Sequence, residues 1–483
     1  MIDDPWAGDR LNRQSTGEHL VKVLLERYEA RKALGAGSYI LNIDASWGEG
    51  KTFFLECLRG DLRKRGHAVA YVNAWQDDHG DDPLVTVMSA IEKELAPFFK
   101  DEKAAKAKME KGKKALSIVA QETTKQVGLH FLKLATGIAA DKTLEKLREA
   151  GALGDDVKVD DKALDGGSEK VWEKALENLI PKRVAEHQRA NKSSDEFRER
   201  TSEAISMLFD KGMLEPMFVF VDELDRCRPL YAIRLLEDLK HLFAIKGIVF
   251  VVATDSAQLA HSVKAIYGAE FEARKYLRRF FDRVFVFPEA DRKGFVAHLL
   301  ASHGIDERAT FESTGGASPS FIITSWANGY SLSNRDVEQC FEIISTFVTS
   351  WNHDSKIEPI YLLLLVYLFY HLNITNLTNP PNDDVFAEKM NQWVIGLKYD
   401  VINEGEKRSM MSGRSMLMSA REQSMKRLID VVSPFGTVWE RVLYNERMLR
   451  FPNNGAMPNN LPTSSYMAEY PSRIRNAGRV IED

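Results

Sequence analysis

The sequence predicts an α/β fold in which helices flank a five-stranded parallel sheet, and three observations lead to it. Five apolar runs of strand length occur along the chain, most of them separated by segments with helical periodicity. The first run is followed by a glycine-containing turn and a Lys-Thr pair, and a later run is followed by two acidic residues. Because ligands bind at the carboxyl edge of such sheets, we expect both features at one site.

The composition is that of a globular protein with room for two or three cores in its 483 residues. A formal net charge of −5 argues against a dedicated nucleic-acid coat and leaves a local basic groove open. Cys57, Cys227 and Cys340 are too few and too scattered for a disulfide framework or a metal knuckle, so we expect a reducing, cytoplasmic location. No secretory pattern opens the sequence, and its longest apolar run, at 360–370, is shorter than the roughly 20 residues of a transmembrane helix.

The first half of the sheet domain is predicted at residues 1–99. Residues 16–36 carry apolar positions at helical spacing and indicate an amphipathic helix. A buried strand at 39–43 and the helix after the glycine-containing turn form a strand–loop–helix unit. A second strand at 68–73 and a helix at 83–99 follow.

Residues 100–216 differ in character, because lysine- and glutamate-rich helical stretches alternate there with glycine-containing turns. We interpret them as a helical insertion, and the lysines of 103–125 as a solvated helix face rather than a nucleic-acid track. The amphipathic run at 116–138 has the pattern of a helix on a membrane surface or a partner, although a packed helix is the simpler interpretation.

The second half of the sheet domain is predicted at residues 217–290. Its strand at 217–221 is continuously apolar, which is typical of a central parallel strand, and two more strands follow at 247–253 and 284–287. We expect a helical lid at 291–350 and a helical C-terminal region at 351–483. The end of that region, from about residue 451, is rich in Asn, Pro and Ser, which predicts an irregular tail.

The turn after the first strand has the residues of a phosphate-binding loop. The pattern is Gly, four free residues, then Gly-Lys-Ser/Thr, and here Ala45 replaces the first glycine. Gly48 and Gly50 still allow backbone N–H groups to surround phosphate oxygens. Lys51 would reach the β- and γ-phosphates, and Thr52 would be a ligand of Mg²⁺. The predicted cofactor-binding residues are Trp47, Gly48, Glu49, Gly50, Lys51, Thr52 and Phe53.

The acidic pair after the 217–221 strand completes the predicted site. We assign Asp222 to the metal and Glu223 to the general base that polarises the attacking water. Either motif alone is also compatible with an ordinary turn, but their order along the chain is that of a single nucleotide site. Thr254 and Asp255, after the next strand, either sense the γ-phosphate or cap the helix at Ser256. The expected cofactors are ATP and Mg²⁺, because no guanine-reading Asn/Thr-Lys-x-Asp string is apparent.

Three segments together resemble the KAP family of P-loop NTPases. They are Trp47-Gly48-Glu49-Gly50-Lys51-Thr52, Asn73-Ala74-Trp75 and Val221-Asp-Glu-Leu-Asp-Arg-Cys-Arg-Pro229, in which Glu223 replaces the family's usual second Asp. Tyr276-Leu277 and Asn334-Arg335-Asp336 also resemble family positions, so the similarity extends from about residue 10 to 350 with gaps.

The resemblance implies a P-loop NTPase core of the additional-strand class, related to AAA+ and signalling NTPases. In that class the strand before the phosphate loop and the strand before the acidic pair are not adjacent. The resemblance also implies a switch or assembly role. Many family members carry transmembrane helices in the insertion, which this sequence lacks, so the nearer comparison is with soluble bacterial-type members found in phage-exclusion and multi-gene defence systems.

Hydrolysis also needs a cation that offsets charge on the γ-phosphoryl group. Arg278, Arg279 and Arg283 are candidates. Arg279 occupies a position where the resemblance leads one to expect Lys, and we favour it as a finger that acts across a subunit interface. We expect Arg335 to be an in-chain sensor of the same phosphates. Alternatively, the arginine cluster pairs with Asp282 and nearby acids.

Two functions from different classes remain open. The first is an ATP-hydrolysing switch coupled to a partner protein of a multi-component system, in defence against phage. The second is a nucleotide-dependent binding module that hydrolyses little until it forms a homo-oligomer or binds nucleic acid. A membrane-surface scaffold built on residues 116–138 is a more distant alternative.

Overall fold

The computed structural model describes residues 4–78, 83–98, 195, 198–199, 201–241, 245–381, 383–401, 405–426, 438–450 and 464–478. The chain divides into two compact units. We call the first the sheet unit, which comprises Gly17–Ala45 and Lys51–Phe287, and the second the helical unit, which comprises Met1–Thr16, Ser46–Gly50 and Pro288–Asp483. Most of the predicted insertion, including the run at 116–138, lies outside the described residues.

The sheet unit contains five parallel strands, as the sequence predicted, and their order is β2-β3-β4-β1-β5. The strands are β1 (Tyr39–Asp44), β2 (His67–Asn73), β3 (Leu214–Asp222), β4 (Ile248–Thr254) and β5 (Arg283–Val286). β4 lies between β1 and β3, so the prediction that the phosphate-loop strand and the acidic strand are not adjacent is confirmed. Continuous apolar sequence produces this arrangement, because central parallel strands are covered on both faces and β4 is buried throughout.

Strand β5, at the position predicted for the fifth strand, is largely exposed although most of its sequence is apolar. It pairs only with β1 and lies at the edge of the sheet, where Val284 and Val286 are exposed. An edge strand has a neighbour on one side only, and an apolar run by itself does not indicate where in the strand order it will lie.

The described helices of the sheet unit bury apolar residues at helical spacing, as in α2, where Phe54, Leu55, Leu58 and Leu62 are inaccessible. They are α1 (Gln14–Ala33, which begins in the helical unit), α2 (Lys51–Lys64), α3 (Pro83–Leu95), α4 (Pro229–His241), α5 (Ser256–Tyr267) and α6 (Ala273–Leu277). Residues 201–210 are also helical.

The strand register brings the predicted catalytic elements to one edge of the sheet. Val221 on β3 pairs with Val252 on β4, which pairs with Asn42 on β1. Asp222, one residue further along β3, is therefore level with Ile43, the last residue but one of β1, and two strand spacings, or about 10 Å, from it. Helix α2 begins at Lys51, seven residues after β1 ends at Asp44.

The helical unit has its own core, in which Trp326, Trp393 and Trp439 are fully buried. Its helices are α7 (Lys293–Ser302), α8 (Glu307–Thr310), α9 (Pro319–Gly329), α10 (Asn334–Thr349), α11 (Pro359–Tyr370), α12 (Asp384–Met390), α13 (Gly413–Ser424), α14 (Val438–Arg450) and α15 (Tyr470–Ala477). Strands β6 (Val394–Val401) and β7 (Gly405–Ser412) form an antiparallel hairpin. Part of the predicted irregular tail is thus helical, because Tyr470 and Ile474 bury their side chains in this core. No helix in the described part of the chain is long and apolar enough to cross a membrane.

A buried acid fixes the start of α11. The carboxylate of Glu358 accepts the N–H groups of Ile360 at 3.1 Å and Tyr361 at 2.7 Å, and the hydroxyl of Thr314 at 2.8 Å. The backbone N–H of Glu358 donates to the hydroxyl of Tyr470 at 2.8 Å. Burial outweighs these donors and raises the pKa of Glu358 from its ordinary value of 4.5 to about 7.

Glu358 should make the stability of the helical unit fall as the pH rises from about 4.5 to about 7. Within that window the folded state keeps the proton while the unfolded state loses it, so each step in pH favours unfolding. The penalty is absent below the window and constant above it. Urea midpoints, followed by the fluorescence of the buried tryptophans, should show this fall in the unaltered chain and lose this component of it in Glu358→Gln. The same pH dependence in both chains would contradict the assignment.

Candidate functional site

The predicted phosphate loop adopts a conformation that depends on its two remaining glycines. Gly48 and Gly50 both have φ of +81°, a region that side-chain-bearing residues rarely adopt. The 14-residue helix α2 begins directly after Gly50, so its N-terminal N–H groups lie at the end of the loop. A helix N-terminus after a glycine-rich turn is a favourable environment for phosphate.

Lys51 and its neighbours are accessible. The ammonium group of Lys51 donates to the carbonyl of Ala45 at 2.5 Å, so its side chain folds back along the loop. Thr52 is exposed, as are the large side chains of Trp47 and Phe53. The sequence predicted all four as cofactor-binding residues, and their exposure leaves them reachable by a ligand.

Asp222 is buried and held by two hydrogen bonds. Its Oδ2 atom accepts the hydroxyl of Tyr71 at 2.9 Å, and its Oδ1 atom accepts the backbone N–H of Glu223 at 2.8 Å. Burial raises the pKa of Tyr71, and the adjacent Asp222 raises it further, so the phenol remains a donor. These bonds fix the orientation of the carboxylate that the sequence assigned to the metal.

Glu223, the predicted general base, is restrained on both carboxylate oxygens. The side-chain amide of Asn73 donates to Oε2 at 3.0 Å, and the guanidinium of Arg226 lies 2.5 Å from Oε1. Glu223 itself has φ of +60°, a strained conformation for a residue with a side chain, at the start of the short 3₁₀ turn Leu224–Arg226. The predicted base is therefore neutralised by a cation and tied to the neighbouring strand.

The sequence alone did not identify Tyr71 and Asn73 as partners of this acidic pair. Asn73 is directly opposite Asp222 in the β2–β3 register, and Tyr71 is two residues earlier on β2. The available signal was their position near the carboxyl end of a predicted strand, where the register of parallel strands places side chains of neighbouring strands together. Arg226 also lies 5.4 Å from the ring centroid of Trp75, which is exposed.

Thr254, the last residue of β4, and Asp255, the residue after it, have different roles. Asp255 caps α5, because its side chain accepts the N–H groups of Ala257 and Gln258. Thr254 is fully buried and donates its hydroxyl to the side-chain oxygen of Asn42 at 2.9 Å. Of the two predicted roles, capping the helix is therefore the one that Asp255 has. Thr254 instead links β4 to β1.

The three candidate finger arginines, Arg278, Arg279 and Arg283, lie on the surface before or at the start of β5. Asp282, which the alternative interpretation assigned to them, pairs instead with Arg31 at 3.1 Å and with Lys240 at 3.5 Å. Within the described part of the chain none of the three arginines forms an ion pair. The role of Arg279 as a finger stays a prediction.

Arg335 belongs to the helical unit and lies beside the loop residue Gly48. A Cβ atom added to Gly48 would lie 2.7 Å from Arg335 Cβ and 2.8 Å from Ser333 Oγ, so only glycine fits there. Ser333 and Asp336 form a capping box that begins α10 at Asn334. The helix start that carries Arg335 is therefore packed against the loop backbone.

Glu49 is also held within the helical unit. Its carboxylate lies 3.7 Å from Arg13 Nη2 and 3.6 Å from Arg292 Nη2. The sequence predicted Glu49 as a cofactor-binding residue but gave no indication of either arginine, since they are distant in the chain. The side chain of Glu49 is thus engaged by protein, and its backbone N–H donates to the carbonyl of Ser46 at 3.4 Å.

The oxygen donors of the site suit Mg²⁺. This ion prefers hard oxygen ligands, and it typically binds through one or two protein carboxylates together with waters and substrate phosphates. The hydroxyl of Thr52, on the first turn of α2, and the oriented carboxylate of Asp222, at the end of β3, are ligands of that kind.

Comparison with known proteins agrees with these observations. A family model described as the KAP family P-loop domain matches residues 14–339. A search of curated protein sequences found no match. Among solved structures, that of the ORC2 protein of Aeropyrum pernix, described as ADPNP–ADP complexes, is 13% identical, with 96% of this chain and 94% of that chain covered. Its TM-score of 0.32 is too low to inform function.

Gly48→Ala should loosen the loop more than Gly50→Ala. Both glycines have the same positive φ, so an added methyl strains either backbone by about 1–3 kcal/mol. At Gly48 the methyl also overlaps Arg335 and Ser333, whereas the nearest atom at Gly50 is 3.5 Å away. Hydrogen exchange at residues 46–50 and 333–336 should accelerate most in Gly48→Ala. Equal acceleration in the two variants would show that the contact with Arg335 is unimportant.

Proposed function

The chain belongs to the KAP family of P-loop NTPases, and on this basis we propose that it binds ATP with Mg²⁺ and hydrolyses it as a nucleotide-driven switch. The observation that carries the proposal is the strand register, which aligns buried Asp222 with the end of the strand that leads into the phosphate loop. Family membership supports nucleotide binding. ATP as the substrate and Mg²⁺ as the metal are our proposals.

In the proposed mechanism, the chain's own residues bind and orient the triphosphate. Backbone N–H groups at Gly48 and Gly50 surround its oxygens, and Lys51 exchanges the Ala45 carbonyl for the β- and γ-phosphates. Thr52 and Asp222 would hold Mg²⁺, which offsets negative charge on those phosphates when bound. Tyr71 keeps the Asp222 carboxylate in a single orientation.

Proton transfer falls to Glu223 in this proposal. A carboxylate accepts a proton from water only when it is free to face that water, and both oxygens of Glu223 have other partners. Release from Arg226 would leave Oε1 of Glu223 free to face the attacking water. Arg335 and Arg279 would offset charge on the γ-phosphoryl group, Arg335 from the same chain and Arg279 from a neighbouring copy.

The restraint on Glu223 favours a second candidate function as well. A chain whose base is neutralised would bind nucleotide and hydrolyse it slowly until an event displaces Arg226 or Asn73. Assembly of a homo-oligomer or contact with nucleic acid are such events. In that case the protein is a nucleotide-dependent interaction module rather than a constitutive ATPase.

The biological setting we propose is bacterial defence against phage, in the cytoplasm, together with a partner protein. Support comes from the resemblance of the three motif segments to the family and from the sequence of the insertion, which lacks the transmembrane segments of many members, as in the soluble members found in phage-exclusion and defence systems. Fold and motif do not determine a pathway, so this part of the proposal needs a test in cells. Loss of phage protection on Lys51→Ala, in a strain that carries the complete gene neighbourhood, would support it, and unchanged protection would refute it.

Lys51→Ala should abolish Mg²⁺-dependent ATP turnover, because no other cation on α2 follows the loop glycines directly. Lys64→Ala, on the last turn of the same helix, is the matched control and should turn over ATP like the unaltered chain. Phosphate release is measured with and without a metal chelator. Turnover that survives both Lys51→Ala and the chelator would refute the proposed chemistry.

Turnover against protein concentration, with and without DNA or RNA, separates the two candidate functions. A constitutive switch has a rate per chain that none of these variables changes. An interaction module has a rate that rises with concentration or with nucleic acid. Independence from all three refutes the second candidate.

Arg226→Ala should raise the basal turnover by up to about fivefold, because a partly exposed ion pair contributes about 0.2–1 kcal/mol. The matched control is Arg228→Ala, two residues away, whose guanidinium pairs with Asp78 instead at 3.0 Å. Single-turnover rates measured at saturating ATP exclude effects on binding. A basal rate that rises equally in both variants, or in neither, would show that Arg226 does not restrain the base.

A further inference from the structure

Glu49 lies between the two loop glycines, and two arginines hold it. Its carboxylate is within ion-pair distance of both Arg13 and Arg292, at 3.7 and 3.6 Å. Arg13 Nη1 also donates to the backbone carbonyl of Glu49 at 2.5 Å. Both the side chain and the backbone of this loop residue are thus fixed by groups of the helical unit.

Arg292 extends this contact to the turn that carries Arg335. It is buried, and its guanidinium donates to acceptors between the end of α9 and the start of α10. These acceptors are Asn328 Oδ1 at 2.8 Å, Leu332 O at 2.6 Å, Asn334 Oδ1 at 3.1 Å and Ala327 O at 3.4 Å. A single planar side chain therefore joins Glu49 of the loop to the residue directly before Arg335.

The charges argue against a role in stability alone. Two buried arginines share the carboxylate of Glu49, and Asp9 is a second acid whose charge acts on Arg13. Burial lowers the pKa of Arg13, Glu49 and Asp9 oppose this effect, and Arg292 adds to it, so holding two arginines at one carboxylate costs folding energy.

We infer that Glu49, Arg13 and Arg292 are positioning residues that hold the loop backbone and Arg335 in fixed register, so that Arg335 meets the third phosphate of the nucleotide. The inference rests on the proposed function. It states that these residues determine the preference of the site for ATP over ADP. Contact of Gly48 with Arg335 supplies one link between loop and helix start, and the Glu49–Arg292 contact supplies the second. Two separate links fix the distance between the loop backbone and Arg335, whereas a single link would leave that distance adjustable.

The test compares the affinity for a non-hydrolysable ATP analogue with that for ADP by calorimetry. The unaltered chain should prefer the analogue. Glu49→Gln and Arg335→Ala should each weaken analogue binding by about tenfold or more, since a hydrogen bond to a charged group contributes about 1.5–3 kcal/mol. ADP binding should stay nearly constant. The double variant should be no weaker than Arg335→Ala, because both substitutions remove the same contact.

The outcomes separate the inference from the proposed function. An unaltered chain that binds neither nucleotide refutes both. A chain that binds them, but whose affinities fall by the same factor in Glu49→Gln or do not change at all, refutes the inference and leaves the proposed function standing. Multiplicative effects of Glu49→Gln and Arg335→Ala also refute it, because independent residues behave in that way.

Two further variants control for damage to the fold. Glu446→Gln disrupts a buried ion pair with Arg450, 2.9 Å long, elsewhere in the helical unit. It should lower the melting temperature without changing the ratio of the two affinities. Glu49→Asp keeps the charge but lengthens both arginine contacts, so it should reduce the ratio while the chain stays folded. An unchanged ratio in Glu49→Asp overturns the inference even where Glu49→Gln does not fold.

Discussion

Hydrogen-bonded pairing of β2, β3, β4 and β1 is the constraint on which the rest of the sheet unit depends. Parallel pairing fixes which residues are level with one another, and here it aligns the acidic pair with the end of the strand that precedes the phosphate loop. It also places Asn73 opposite Asp222. A shift of one residue on β3 would turn the carboxylate of Asp222 to the opposite face of the sheet, because successive side chains of a strand point to opposite sides.

The two carboxylates at this edge, Asp222 and Glu223, differ in the partners that hold them. Asp222 is buried and oriented by Tyr71 and by the backbone, which suits a fixed ligand. Glu223 is held by partners that can be exchanged, in a strained backbone conformation. Strained residues persist only where surrounding contacts enforce them, and such positions are common in switch regions. This difference between neighbouring acids is the physical basis of the second candidate function, in which hydrolysis stays slow until Glu223 is released.

The phosphate loop is held by contacts within the helical unit. Gly48 touches the start of α10, and Glu49 is fixed by two arginines. The loop is therefore more than a flexible turn between β1 and α2. Its backbone conformation depends on residues that come before α2 in the chain, such as Arg13, and on residues far after it, such as Arg292.

The sequence by itself determined the strands, the parallel sheet class and the identity of the loop and acidic residues. Continuously apolar runs such as 217–221 and 247–253 require burial on both faces, and the Gly-Lys-Thr and Asp-Glu pairs carry their chemistry in adjacent residues. Tertiary structure alone decided that β5 is an edge strand, that Asn73 restrains Glu223 and that Arg13 and Arg292 hold Glu49. Local periodicity describes which face of an element is buried. It does not specify which distant side chain will lie opposite, because that depends on strand order, register and packing.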